Sequence, residues 1–281
     1  MTISLFSKVH SPLRIHCWGG FGSQLNALCL ALELNKLSPN RRLHLVFHTG
    51  GITKRHLEIR DLIPESISWD IIDDFVNEMN PRKSSRKSRI ILSRFLASIR
   101  VIVSPNNNKD LQKIKPWTLS TRGHYSHINF SESVYSIIAK GLGLWEPRTD
   151  VAPLVLHYRL GDLIGLEKGF IKSTEICNVA QLFNPGAWLV LTDSPNDARN
   201  MLSNSDLNVK FNQFLSLTPK EILQIGFSSE VFIGTTSKLS IWVAIFRMLE
   251  NRSATFLPRE MQRGLSGIFL TDKARLVSYY P

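Results

Sequence analysis

Three short segments of the sequence combine glycine with residues that can bind or move charge. They are Gly19-Gly20-Phe21-Gly22-Ser23-Gln24, His157-Tyr158-Arg159-Leu160-Gly161-Asp162 and Gly234-Thr235-Thr236-Ser237. Glycine lets the backbone approach a ligand closely, and free N–H groups at the start of a helix attract anions. Each segment follows a short apolar run, so we expect each to lie where a strand ends.

The second segment carries the strongest candidate for phosphate binding. Arginine binds phosphate in a bidentate manner and stays charged at any working pH, which makes Arg159 the first choice. His157 and Arg159 lie two residues apart and therefore share one face of a strand. Asp162 could orient Arg159, accept from a sugar hydroxyl or cap the following helix. The alternative is an Arg–Asp ion pair beside a hydrogen-bonded core histidine.

The other segments allow both binding and structural interpretations. Thr235, Thr236 and Ser237 could cap a helix or bind a diphosphate through hydroxyl and N–H groups. Asp193, after another apolar run, could face a ligand or begin the next helix. The first segment is not a dinucleotide fingerprint, because Leu25 stands where the third glycine is required. Its glycines could instead form a tight turn.

The elements that position these segments alternate between strand and helix. Apolar runs predict strands at 13–18, 43–47, 154–158, 188–192, 231–233 and 254–257, and helices at 25–37, 131–142, 174–183, 195–202 and 238–249. Such alternation predicts an α/β protein with parallel sheets and ligands at the carboxyl ends of the strands. Two prolines and mixed charges at 145–153 predict a boundary between domains 1–150 and 151–281.

Composition bounds the partners and the compartment. The 281 residues carry a net charge of +11, which favours anionic partners. Much of this charge lies at 82–115, where an amphipathic helix could pack on the core or lie on an anionic membrane. No apolar run approaches the ~18 residues of a membrane span, and no signal peptide is evident. Three cysteines without a CxxC pair favour the cytoplasm, with a peripheral position on the inner face of the cell membrane as a further expectation.

Taken in order, these segments resemble the α-1,2-fucosyltransferase family and its relatives that share an H-x-R-x-G-D motif. Residues 19–24 are similar to that family's G-G-x-G-N-Q, and residues 157–162 are similar to its H-x-R-R-G-D. Leu191-Thr192-Asp193 resembles a strand ending in Ser-Asp. Residues 233–244 resemble the N-S-T-F-S-W-W-A-A segment. The resemblance spans most of the chain in four islands.

The resemblance implies a GT-B-like fold, in which two Rossmann-like domains face each other across a cleft. It implies a nucleotide-sugar donor, no metal and no cofactor. Arg159 would contact the pyrophosphate, with His157, Asp162 and Asp193 on the donor side. Thr235, Thr236 and Ser237 would lie near the nucleotide or diphosphate. Gly20, Gly22 and Gln24 would form the N-terminal, acceptor side of the cleft.

Three departures from the family pattern bear on the donor. Leu160 replaces the second arginine of the motif, Ser23 replaces its asparagine, and Ile241 replaces the first of two tryptophans. GDP-fucose is the first expectation, and CMP-Kdo or another nucleotide sugar stays open. The acceptor would be a surface polysaccharide or a lipopolysaccharide.

The chemistry would be displacement at the anomeric carbon, with Arg159 and the helix start at 235–237 stabilising the departing phosphate. An inverting transfer needs a general base, and Asp162, Asp193, Glu58 and Asp61 are candidates that the sequence does not separate. Two other classes stay open: a nucleic-acid-binding protein using residues 82–115, and an inactive scaffold. The first is weakened because Phe95 is the only aromatic residue in 82–115, and no nucleic-acid-binding module is matched.

Overall fold

The structure is a computed structural model, and it describes residues 12–50, 54–75, 95–146, 152–164, 171–183, 186–203, 209–252, 254–262 and 276–279. The chain divides into two compact units, unit 1 over 1–134 and unit 2 over 135–281. The boundary predicted at 150/151 lies outside the described residues, and so do residues 82–94 of the predicted basic helix.

Unit 1 contains a five-stranded parallel sheet with the order β3-β2-β1-β5-β4. Its strands are β1 Leu13–Trp18, β2 Leu43–His48, β3 Ser68–Ile72, β4 Ile102–Val103 and β5 Ser120–Gly123. Its helices are α1 Phe21–Leu37 and α2 Asn108–Leu111, with a 3-10 helix at Arg60–Leu62 and α3 Glu132–Gly141 crossing the division between units. Alternate residues of β1 are buried, so that Leu13, Ile15 and Cys17 form one face and His16 and Trp18 lie on the other.

Helix α1 begins earlier than the sequence predicts. We expected an open loop at 19–24 and a helix from residue 25, but Phe21 is already helical and Gly20 is the N-cap. Gly19 adopts a φ of +112°, a conformation that side-chain-bearing residues rarely take, and this turns the chain from β1 into α1. Residues 21–24 therefore form the first turn of a helix.

Unit 2 contains a six-stranded parallel sheet with the order β11-β10-β9-β6-β7-β8. Its strands are β6 Leu154–Tyr158, β7 Ala187–Thr192, β8 Lys210–Leu215, β9 Val231–Gly234, β10 Thr255–Pro258 and β11 Leu276–Tyr279. Its helices are α4 Gly161–Ile164, α5 Ser173–Ala180, α6 Pro195–Ser203, α7 Pro219–Ser228, α8 Lys238–Leu249 and α9 Arg259–Gln262. The predicted α/β architecture of two Rossmann-like, parallel-sheet units is confirmed.

The start of α7 shows how local sequence sets an element boundary. Thr218 is the N-cap, its hydroxyl accepts from Glu221 N–H, and the Glu221 carboxylate accepts from Thr218 N–H in return. Pro219 occupies the first helical position, where its missing N–H costs nothing. The residues Thr-Pro-Lys-Glu at 218–221 carry the sequence pattern of a capping box, with Thr at the N-cap and Glu three residues later.

No helix of the described residues is both long enough and apolar enough to cross a membrane.

Arg247 is a fully buried cation that joins α7, α8 and β10. Its Nη1 donates to the Ser229 carbonyl at 2.6 Å and to the Gly226 carbonyl at 3.1 Å, and its Nε donates to Thr255 Oγ1 at 2.7 Å. These acceptors include the end of α7, where helix carbonyls lack partners. Burial lowers the pKa of Arg247 to about 10, so it is still charged at neutral pH.

We expect Arg247→Ala to lower the free energy of unfolding by several kcal/mol, because each buried acceptor left unsatisfied costs about 1–3 kcal/mol. Urea unfolding followed by circular dichroism measures this. The matched control is Arg252→Ala, which removes an exposed arginine lying over Phe227 and should cost less than about 1 kcal/mol. Equal losses for the two variants would contradict the structural role of Arg247.

Candidate functional site

The sheet of unit 2 changes direction between β6 and β9. From β6 the chain proceeds outward through β7 to β8, then returns to the other side of β6 to form β9, β10 and β11. The loops after β6 and β9 therefore leave in opposite directions, and this creates a crevice at their carboxyl ends. Arg159 follows β6 and Thr235 follows β9, so two of the three sequence segments meet at this crevice.

The Asp193 carboxylate organises the loop after β6. Its Oδ1 accepts from the N–H groups of Leu160 and Gly161, each at 3.0 Å. Its Oδ2 accepts from Arg159 Nε at 2.9 Å. Both side chains are about one-third exposed, at 34% for Arg159 and 32% for Asp193. Asp193 therefore holds Arg159 at the crevice, which is the orienting role that the sequence motif suggests for Asp162.

Gly161 is required by this arrangement. A Cβ at this position would lie 2.2 Å from Asp193 Oδ2, much closer than any real contact. The carboxylate can approach the first turn of α4 only because residue 161 has no side chain. The glycine of the motif thus serves the Asp193 contact.

Leu160 points away from the crevice. Its side chain is fully buried in the core cluster of unit 2, with Leu156, Tyr158, Ile176 and Val190. An arginine cannot occupy this position without placing a charge in an apolar core. Leu160, at the position where the motif it resembles has a second arginine, therefore serves the packing of the unit 2 core.

His157 is a buried, hydrogen-bonded histidine. It is 4% exposed, and its Nδ1 lies 2.8 Å from Ser240 Oγ on α8. Burial lowers its pKa to about 4, with Asp193 acting in the opposite direction and Arg159 adding to the decrease. A Cβ at Gly234 would lie 2.6 Å from Ser240 Cβ, so this glycine lets α8 approach β9. These contacts favour the core interpretation of His157.

The hydroxyls after β9 divide into three roles. Thr235 is fully buried, and its Oγ1 accepts from Arg159 N–H and donates to the His157 carbonyl, both at 2.9 Å. Ser237 is the N-cap of α8 and accepts from Leu239 N–H. Thr236 Oγ1 is buried and has no hydrogen-bond partner among the described residues. A buried hydroxyl without a partner costs about 1–3 kcal/mol, which a ligand at the crevice could recover.

Asp162 lies in α4, one residue after Gly161, and its side chain lies outside the described part of the structure. The structure thus brings together the backbone at residues 159–161, the Arg159 and Asp193 side chains and the hydroxyls of Thr235 and Thr236.

In unit 1, Gln24 braces the chain internally. Its Nε2 donates to the His56 carbonyl at 2.6 Å and its Oε1 accepts from Glu58 N–H at 2.9 Å. Gln24 is 2% exposed. Gly22 is likewise buried in the first turn of α1. The amide of Gln24 is therefore committed to the segment around Glu58.

Glu58 occupies the start of α1. Its Oε2 accepts from Phe21 N–H at 3.1 Å, the first N–H group of the helix. Burial raises the pKa of Glu58, and the contact with Phe21 N–H and the nearby Arg55 act in the opposite direction. Gly20 and Gly22 therefore border a helix start that a carboxylate of the same chain already fills. Asp61, another candidate base, is exposed in the 3-10 helix.

Three polar side chains of unit 1 form a hydrogen-bonded chain that the motifs of the sequence do not indicate. His16 Nδ1 lies 2.9 Å from His48 Nε2, and His48 Nδ1 lies 2.7 Å from Asp74 Oδ2. Trp18 stacks on His48 with ring centroids 4.1 Å apart. The available signal was one histidine in the first predicted strand and another directly after the second, but their spacing along the chain gives no indication of Asp74.

No group of three or more histidine, cysteine or acidic side chains in the described ranges is arranged to hold a metal ion.

The architecture defines a class of α/β proteins with two Rossmann-like units, and comparison with known proteins adds structural neighbours at low identity. No protein-family model matches the chain, and no curated protein matches it. Among solved structures, it is similar to the E. coli heptosyltransferase WaaC with ADP, at 12% identity and a TM-score of 0.47 over 96% of this chain and 93% of that one.

Two further solved structures show comparable similarity. One is a glycosyl transferase family 9 protein from Veillonella parvula, at 10% identity and a TM-score of 0.45 over 97% of this chain and 86% of that one. The other is the E. coli ADP-heptose LPS heptosyltransferase II, at 12% identity and a TM-score of 0.45 over 95% and 90%.

The buried His157 should make stability depend on pH. Its pKa is about 4 in the folded protein against 6.5 in the unfolded chain, so the unfolded chain binds more protons between these values. We expect the free energy of unfolding contributed by His157 to be fully present above pH 6.5. It should fall by about 3 kcal/mol as the pH decreases to 4.

Urea unfolding between pH 4 and 6.5 tests this expectation by comparing the wild type with His157→Gln. The variant should show a smaller decrease, whereas the control His127→Gln, at an exposed histidine, should follow the wild type. Parallel curves for the wild type and His157→Gln would contradict the buried, neutral state of His157.

Proposed function

We propose that the protein is a glycosyltransferase that binds the phosphates of a nucleotide-sugar donor at the crevice between β6 and β9. The observations that support this most directly are that Asp193 holds Arg159 after β6, and that the buried Thr236 hydroxyl after the neighbouring strand β9 has no hydrogen-bond partner among the described residues. Arg159 would supply fixed charge and Thr236 a hydroxyl donor. Together they suit an anion site at the place where open α/β sheets bind ligands.

The same groups suit the chemistry of sugar transfer. When the bond between the anomeric carbon and the phosphate oxygen breaks, negative charge grows on the departing nucleotide. Preorganised cations and N–H dipoles stabilise such charge without a cost in reorganisation. Arg159 is preorganised by Asp193, and the twelve-residue helix α8 directs its N-terminus, with Thr236 just before its cap, at the same edge.

The donor and acceptor follow from the resemblance and the charge. A GDP-sugar is the first donor under this proposal, with CMP-Kdo as the alternative. ADP-heptose should be tested as a donor as well, because it is named with one of the heptosyltransferases above. The acceptor would carry a hydroxyl on a surface polysaccharide or a lipopolysaccharide, whose anionic groups suit a chain of net charge +11. No residue of the proposed donor site requires a metal.

Arg159 and Thr236 can be tested by nucleotide binding. We expect GDP, CMP or ADP to raise the melting temperature of the wild type. Arg159→Ala should weaken binding about 10- to 100-fold, because a charge-assisted hydrogen bond contributes about 1.5–3 kcal/mol. Arg159→Lys should restore part of the affinity, and Thr236→Val should weaken binding by a smaller factor. Calorimetric titration measures each dissociation constant.

The matched control is Arg199→Ala, which removes an exposed arginine of α6 and should leave affinity unchanged. Stabilisation by oligonucleotides and by none of the nucleotides would overturn the proposal in favour of nucleic-acid binding. Nucleotide binding with no turnover of any donor would favour an inactive scaffold.

The proposal includes a peripheral position on an anionic membrane. In the described part of the basic segment and just beyond it, residues 95–119, four large apolar side chains are exposed: Phe95, Ile99, Trp117 and Leu119. Trp117 Nε1 donates to the Ile99 carbonyl, which places the two side chains in one patch. Exposed Arg100 lies beside them. Aromatic and aliphatic side chains edged by cations suit the headgroup region of an anionic bilayer.

We expect the purified protein to sediment with vesicles of phosphatidylglycerol and phosphatidylcholine, and to do so weakly with phosphatidylcholine alone. Trp117→Ser should reduce partitioning about tenfold, since burying a large apolar side chain contributes about 1.5–3 kcal/mol. The control Trp145→Ser alters another exposed tryptophan and should have no effect. Equal partitioning of both variants would remove this patch from the proposal.

A further inference from the structure

One face of the unit 1 sheet carries two arginines on neighbouring strands. On β1, Arg14 lies two residues before His16 and therefore on the same face of the strand, opposite its buried face. On β5, Ser120 and Arg122 are related in the same way. In the parallel register Arg14 is paired with Ser120, and His16 is paired with Arg122. All four side chains therefore extend from one face of two adjacent strands.

The two arginines are close enough to bind one ligand. Adjacent strands lie about 4.8 Å apart and alternate residues of a strand about 6.6 Å apart, so the diagonal from the Arg14 Cα to the Arg122 Cα is about 8 Å. Both side chains are exposed, and neither forms an ion pair in the part of the chain that the structure describes. Two positive charges at this separation repel each other, and an anion between them would relieve the repulsion.

The ionisation of His16 reflects the positive charge of this face. Burial lowers the pKa of His16 to about 4, and four neighbouring basic side chains add to the decrease: His48, Arg122, Arg14 and His44. The carboxylates of Asp70 and Asp74 contact histidines of β2, on the side of β1 that lies away from β5. The positive charge beside β5 is therefore not balanced by these acidic side chains.

Ser120 provides an independent indication of a ligand. It is 8% exposed, and its Oγ is buried without a hydrogen-bond partner in the described ranges. Most buried hydroxyls in proteins have a partner, so an unpaired one requires an explanation. The register places Ser120 directly beside Arg14, and along β5 it lies two residues before Arg122. The hydroxyl is therefore a donor in the corner between the two arginines.

We propose that Arg14, Arg122 and Ser120 form a second anion site, within unit 1, that binds a phosphate monoester group. Two guanidinium groups match the charge of a phosphate monoester, which is close to −2 at pH 7. Its three terminal oxygens can accept from both arginines and from a hydroxyl at the same time. The site is separate from the donor site proposed in unit 2 and goes beyond the transferase function.

The site adjoins the exposed apolar patch of unit 1. Arg14 N–H donates to the Leu119 carbonyl, and Leu119 N–H donates to the Val101 carbonyl, both at 2.9 Å. Leu119 belongs to the patch and directly precedes Ser120. The phosphate monoester could therefore belong to a lipid headgroup whose acyl chains meet the patch, or to a soluble phosphate compound. The chemistry at the arginines is the same for both sources.

The first test is a titration with inorganic phosphate, followed by NMR, in the Arg159→Ala variant so that the proposed donor site does not contribute. We expect phosphate to shift the Nε–H resonances of Arg14 and Arg122 and the backbone N–H resonance of Ser120. Arg14→Ala and Arg122→Ala should each raise the dissociation constant about tenfold, because each removes charge-assisted hydrogen bonds. Arg14→Lys should restore part of the affinity.

Two further variants separate binding from folding. The matched control Arg42→Ala removes an exposed arginine just before β2 and should leave the dissociation constant unchanged. Ser120→Ala should weaken phosphate binding, but without phosphate its melting temperature should not fall, because the lost hydroxyl has no partner. Absence of phosphate-induced shifts at both arginines would overturn the proposal, and so would equal affinities of Arg14→Ala and Arg42→Ala. Neither result would affect the donor site in unit 2.

The ionisation of His16 gives a second readout. Sulfate keeps its double negative charge over the pH range in which His16 titrates, so it tests the charge of the site without titrating itself. We expect saturating sulfate to raise the pKa of His16 from about 4, because a bound anion offsets the positive charges of Arg14 and Arg122. NMR of the imidazole resonances measures this pKa, and an unchanged value would contradict a bound dianion beside His16.

Vesicle sedimentation identifies the source of the phosphate group. Phosphatidic acid carries a phosphate monoester and phosphatidylglycerol a diester, so we compare the two in phosphatidylcholine vesicles of equal surface charge. Stronger sedimentation with phosphatidic acid, lost in Arg14→Ala and Arg122→Ala but kept in Arg42→Ala, would assign the site to a lipid headgroup. Equal sedimentation with both lipids, together with the phosphate-induced shifts, would assign it to a soluble phosphate compound.

Discussion

The candidate site in unit 2 depends on a single carboxylate at the end of β7. Asp193 accepts from two backbone N–H groups and one guanidinium nitrogen, and these three donors belong to consecutive residues, 159–161. A free arginine side chain samples many rotamers, and ordering it costs up to about 2 kcal/mol. Because Asp193 fixes the Arg159 side chain when the protein folds, this rotamer entropy is lost before any phosphate binds. A phosphate would then meet a guanidinium already in place.

The two units contain a similar strand–turn–helix arrangement, but its first helical N–H groups serve different purposes in each. Each has a strand, a glycine-containing turn and a helix, and in each an acidic side chain accepts from the first N–H groups of that helix. In unit 2 this carboxylate also holds Arg159 at the crevice between β6 and β9. In unit 1 it comes from Glu58 and contacts Phe21 N–H, while Gln24 fixes the same segment from inside. Similar sequence patterns therefore lead to one site that presents a cation and another that is closed by its own chain.

The fold could be predicted where burial is periodic. Strands β1 and β6 match the predicted ranges, because alternate residues of β1 and all residues of β6 are buried. Strand β8, with the sequence KFNQFL, was missed because it lies at an edge of the sheet, where four of its six residues are exposed without regular alternation. Strands β3, β4, β5 and β11 were also missed.

The site could be predicted only in part, because the decisive contacts join distant residues. The motif indicates Arg159, but the bond to Asp193 depends on β6 and β7 being neighbours. The burial of His157 against Ser240 depends on how closely α8 approaches β9. Asp74 belongs to no motif, and it reaches His48 only because β2 and β3 are adjacent and parallel. Such pairings are properties of the sheet order, which local sequence does not specify.

Glu58 has a consequence for what can bind at the start of α1. A carboxylate tethered there acts as an intramolecular ligand with a high effective concentration at the helix start. An anion that approaches this helix must displace the Glu58 carboxylate from Phe21 N–H. A helix start that would by itself attract phosphate is therefore occupied by a side chain of the same unit.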